Sequence, residues 1–116
     1  MKQQKTVVEV SILATESTGE SRVKLKSGNV VSCALYENGD PSKPVNVKIE
    51  DSFGEEIHPF ASHKNYKQTN GDYENSFKPI EIVGNQEIVV KARSSEAQTA
   101  KFTFQMIFNQ VEEATI

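Results

Sequence analysis

The sequence predicts an all-β protein: an antiparallel two-sheet β-sandwich of about eight strands in the jelly-roll form. Three observations predict it. In residues 99–109, TAKFTFQMIFN, Ala100, Phe102, Phe104, Met106 and Phe108 recur at every second position, a spacing that puts them on one side of an extended chain. Short apolar runs of the same period recur along the chain between turns rich in glycine, proline and asparagine. Nothing outside them carries a helical repeat, since residues 96–100 are too few to sustain a helix. Short strands separated by such turns indicate a sandwich, and the jelly roll is its natural eight-stranded form. The alternative is an immunoglobulin-like sandwich, whose tryptophan and cysteine pair are missing here.

Each element follows in order. Residues 6–15 predict the first strand, with Val8, Val10, Ile12 and Ala14 on one face and a five-residue arm, 1–5, before it. Residues 16–21 read as a turn in which Gly19 is able to take positive φ. Residues 22–27 alternate, Val23 and Leu25 inward, and Ser27-Gly28-Asn29 reads as a tight reversal joining them in a hairpin to residues 30–37. That second run is apolar on both faces, which predicts a central strand. Residues 38–44, NGDPSKP, are the strongest turn signal, after which Val45, Val47 and Ile49 alternate. Residues 51–55 turn through Gly54 into a short run that Pro59 stops near Phe60. A polar loop, 61–76, follows, and residues 77–83 resume the strand pattern at an edge where Pro79 costs no ladder hydrogen bond. Ile88, Val90 and Ala92 define the next strand, residues 99–109 the last, and residues 111–116 form a tail.

A chain of 116 residues is one domain of ordinary size, able to bury about 65% of the surface it exposes when unfolded without a disulfide or metal. The net charge of −3 argues against nucleic acid as a partner, because neutralising phosphates takes a clustered basic surface. The single cysteine, Cys33, has no internal partner and sits in an apolar run, VVSCALY, as a buried thiol. No segment is long and apolar enough for a membrane span. Glu9 and Ser11 interrupt what would be the apolar part of a signal peptide, so synthesis in a cytoplasm without a leader is expected.

Chemistry-bearing patterns are sparse. His58 and His63, spaced HPFASH, match no zinc arrangement, and neither the 71–75 stretch nor Asn38-Gly39-Asp40 places oxygens as a calcium loop does. No GxSxG and no glycine-rich phosphate loop occurs. No catalytic, cofactor or metal residue is therefore assigned, and an enzyme is not expected. The loop 61–76 is more informative: Phe60, Tyr66 and Tyr73 punctuate it among Lys64, Lys67 and several amides. Rings supply contact area at low entropic cost and amides supply adaptable hydrogen bonds, the mix a contact surface needs. Phe60, Tyr66 and Tyr73 are the expected anchors, with Lys64 and Lys67 at the rim.

A small all-β chain with one cysteine, no leader and a tyrosine-bearing loop resembles the small jelly-roll or sandwich structural proteins of bacteriophage particles in architecture and composition. That resemblance implies a non-enzymatic component of a virion (capsid accessory, penton, spike or tail), meeting other protein subunits, in a homo-oligomer or larger assembly, through the loop and the two terminal arms. The alternative is a carbohydrate- or receptor-binding module whose tyrosines stack on sugar rings, with a glycan as partner.

Overall fold

Phe102, Phe104, Met106 and Phe108 all leave strand β8, Phe102–Glu112, on one side, and each is at most 2% exposed. The computed structural model describes residues 2–39, 41–66 and 78–112. Around β8 the described residues form β1 (Lys2–Ile12), β2 (Thr18–Lys24), β3 (Asn29–Asn38), β4 (Val45–Asp51), β5 (Glu56–Ser62), β6 (Lys78–Ile82) and β7 (Glu87–Ser94), with a 3-10 turn at His63–Tyr66 after β5. One sheet runs β1-β8-β3-β6 and the other β2-β7-β4-β5, every pairing antiparallel.

That order has a simple origin. The pairs β1–β8, β2–β7, β3–β6 and β4–β5 are those of one long hairpin bent at the β4–β5 turn; rolling it up adds β8 to β3 and β7 to β4. This is the jelly roll. An immunoglobulin sandwich keeps its first two strands in one sheet, whereas β1 and β2 lie in different sheets here. The inner faces meet in a core of Val8, Val10 and Ile12 from β1, Val47 and Ile49 from β4, Ile88 and Val90 from β7, and the β8 row.

Several sequence expectations shift. Residues 2–5 are no free arm: β1 pairs with β8 from Lys2↔Glu112 to Ile12↔Phe102, so both the arm and the start of the tail, Val111 and Glu112, belong to a ladder. The rest of the tail lies outside the described residues. The β2–β3 hairpin does not form. The turn between these strands instead bonds the β6–β7 turn, Leu25 N to Gln86 O at 2.9 Å and Asn85 N to Lys26 O at 3.1 Å, and β3 pairs with β8 and β6. Gly28 at φ 105° serves a corner between sheets, which has the same local signature as a hairpin. Gly19 lies inside β2 without positive φ, and Thr15 at φ 70° makes the turn. Glycine is needed there because a Cβ would stand 2.0 Å from the Ser11 carbonyl oxygen, where β2 crosses β1. Strand β5 also runs past Pro59 to Ser62. It is an outermost strand with register shifts, where a missing amide breaks no central ladder. Pro79 lies on β6, an outermost strand of the other sheet, as expected.

Two buried glutamines hold the two ends of the sandwich. At one end Gln98 accepts hydrogen bonds from Ser42 N (3.0 Å) and Ser42 Oγ (2.9 Å) and donates to Lys43 O (3.2 Å), while its backbone joins Thr15 and Glu16. At the other end Gln110 donates to Lys26 O and Gly28 O, both at 2.7 Å, and accepts from Lys26 N and Thr6 Oγ1.

Candidate functional site

The residues singled out in the loop do not converge. Phe60 stands on the outer side of β5 with the Arg93 guanidinium 4.0 Å from its ring centroid and Lys48 Nζ at 5.5 Å. Lys64 is exposed in the 3-10 turn, its amide donating to Ser62 Oγ. Tyr66 is fully buried, and its hydroxyl donates to Val47 O at 3.1 Å with His58 Nδ1 2.6 Å away. It therefore closes the core beneath the turn and presents no ring at the surface. Lys67 and Tyr73 lie outside the described residues.

The histidines serve the same end of the core separately. His63 is buried, with Nε2 2.9 Å from Glu37 Oε2 and its ring edge-on to Phe102 at 5.9 Å. His58 keeps to Tyr66 and to the Pro59 carbonyl. Among the described residues no three or more His, Cys, Asp or Glu side chains gather as metal ligands would. Cys33 is buried as expected, and burial pushes its thiol up to about 12. A thiol held protonated this firmly is no nucleophile.

The surface that distinguishes the molecule is the outer side of the sheet β2-β7-β4-β5. Glu50, nearly buried there, takes Lys48 Nζ on one oxygen and Lys91 Nζ on the other, both at 2.8 Å. The hydrogen bond from Lys48, followed by that from Lys91, holds its carboxyl below the ordinary glutamate value. Beside this network lies a shallow concavity of about 410 Å³, walled by Phe60 and Thr18 and rimmed by Glu20, Lys91 and Arg93.

Where β4 turns into β5 the chain does something the sequence reading missed. Phe53 is 94% exposed at the tip of a turn with no slack. Asp51 Oδ1 accepts hydrogen bonds from Phe53 N and Glu55 N, both at 2.9 Å. Asp51 N donates to Glu55 O, Gly54 N to Asp51 O, and Gly54 takes φ 83°. The only signal in the sequence was a lone phenylalanine between turn residues, DSFGEE, with no strand neighbour to bury it.

No protein-family model matches the sequence, and no curated protein matches it. Among solved structures the backbone is similar to the Yersinia pseudotuberculosis-derived mitogen, at 9% identity over 97% of this chain and 90% of that one, with a TM-score of 0.43. It is similar also to the acidic stable capsid of Helicobacter pylori bacteriophage KHP30, at 14% identity over 97% of this chain and 100% of that one, TM-score 0.41. A family 35 carbohydrate binding module from Clostridium thermocellum is similar at 10% identity over 89% and 90%, TM-score 0.37. Likenesses this loose say nothing of what the chain binds or builds, and its strand order rests on its own hydrogen bonds.

Proposed function

We propose that the chain is a non-enzymatic structural subunit of a larger protein assembly, a virion component, that docks through the β4–β5 tip and the outer side of its sheet. The exposed Phe53 on a locked turn carries this reading. Isolated apolar residues on a surface are ordinary, but a nearly naked aromatic ring on a turn whose backbone is fixed by four hydrogen bonds needs no backbone ordering to be buried in a partner. Burying such a ring is worth about 1.5–3 kcal/mol, and a preformed turn loses little of that to ordering. Aromatic residues are enriched in interfaces, where a few buried anchors dominate the energy. The virion follows by analogy of architecture, since jelly rolls build capsid proteins and lectins alike. Gradient sedimentation of extracts from cells making the chain tests the reading: the native chain is expected to travel with a large particle, and Phe53→Ala to remain at the top. A native chain that itself remains at the top sinks the proposal.

A second reading, a carbohydrate-binding module, is favoured by a concavity of about 500 Å³ on the outer side of the other sheet, where Gln3, Lys5, Ser32 and Asn109 meet Val31 and Val111 at the irregular register of β3. Amides and a hydroxyl suit sugar hydroxyls, but no aromatic ring among the described residues lines the concavity for stacking. A saturable signal for the purified chain on a glycan array would favour this reading over the first.

A further inference from the structure

We infer that the open edge of β1 is held shut by two side chains, Ser21 and Lys26, an autoinhibitory contact that keeps a second copy of this chain from adding its own β1 there. The inference goes beyond the docking tip, since it concerns backbone pairing and does not involve Phe53. The edge itself invites pairing. β1 is outermost in its sheet, is the longest of the outermost strands at eleven residues, and has no proline to break a rung. A long strand of that kind offers a row of unpaired backbone groups to another chain.

In an antiparallel pair, alternate residues turn their N–H and C=O toward the partner strand and the others turn them away. The β1 carbonyls that meet groups outside the β1–β8 ladder are all at odd positions. Lys5 O accepts a hydrogen bond from Lys26 Nζ at 2.7 Å, and Glu9 O accepts one from Ser21 Oγ at 2.6 Å. Ser11 O lies so close to Gly19 that a Cβ there would stand 2.0 Å away. The odd positions therefore face the open edge, and three of their carbonyls are already covered by β2 and the residues just after it. An incoming strand would have to displace Lys26 and Ser21 before its own amides could bond Lys5 O and Glu9 O. Those rungs would replace bonds and add none, which removes most of the gain from pairing.

Sedimentation equilibrium of the purified chain tests this, with Phe53→Ala in every sample so that the tip contributes nothing. Adding Ser21→Ala and Lys26→Ala removes both covering side chains. Lys24→Ala removes the same charge from a neighbouring exposed lysine and is the control. The doubly uncovered chain is expected to self-associate more tightly than the parent, by about fivefold for each bond that no longer has to be broken. The Lys24→Ala chain is expected to match the parent. In the associated form the amides of Val7 and Glu9, which face the same edge, are expected to exchange their hydrogens more slowly. Association no tighter than the parent's overturns the inference, as does an equal gain from Lys24→Ala. Two further results overturn it: association that leaves Val7 and Glu9 exchange unchanged, which runs through another surface, and association that appears only with a lowered urea unfolding midpoint. None of these results touches the gradient experiment on Phe53, so the docking reading stands or falls separately.

Discussion

The two ends of the sandwich solve the same problem differently. At the Gln98 end, one buried residue ties loops from three parts of the chain: Gln98, in residues 95–101, takes Ser42 and Lys43 with both atoms of its side-chain amide and Thr15 and Glu16 with its backbone. At the Gln110 end, the Gln110 amide ties the β2–β3 turn and backbone bonds join that turn to the β6–β7 turn, but the β4–β5 turn is held by the four hydrogen bonds among its own residues. A turn that relies on distant side chains is committed to holding the fold. A turn that satisfies itself is free to present whatever side chain its tip carries, and here it carries Phe53.

Three measurements sharpen this contrast. Gln98→Ala is expected to have the largest effect on stability, about 1–2 kcal/mol in urea unfolding, because it removes several bonds made by a buried side chain, while the exposed Ser42 and half-buried Lys43 recover part of the loss from water. A loss near zero would mean that water replaces the amide and that the end is not tied as described. The effect of Glu50→Gln is smaller, present at neutral pH and vanishing in acid. The Glu50 carboxyl is held below its ordinary 4.5 by Lys48 and then Lys91. Its stabilising contribution is therefore complete above the unfolded value and is lost as the pH falls through the lower folded one. Unfolding midpoints followed from neutral pH downward should fall less steeply for the variant. The smallest change in stability is expected for Phe53→Ala, within about 0.5 kcal/mol, since the ring touches little of its own chain. A destabilisation above 1 kcal/mol, on the order of a buried side chain's contribution, would show that the ring packs at home and is no docking group.

Much of the fold was legible because period-two patterning reports which side of a strand is buried. The β8 row and the alternation in β4 and β7 are inward in the structure as they are in the sequence. Partner choice was less legible. Residues 22–37 carry a hairpin's local signals, yet a turn between two strands looks the same whether the strands pair or part into different sheets; only the competing β3–β8 ladder decides. Pro59 read as a stop because the sequence does not reveal that β5 is outermost. The surface was harder still. Tyr66 and Phe53 are both aromatic residues among polar neighbours, one fully buried and the other almost fully exposed. What separates them is a carbonyl, Val47 O, nineteen residues away in sequence and waiting for a hydroxyl.

The prolines on β5 and β6 bear on how copies of this chain behave in a crowd. Each leaves one edge of its layer a donor short, while the opposite edges, β1 and β2, carry no proline. Lateral stacking of the amyloid type is thereby discouraged at the β5 and β6 edges.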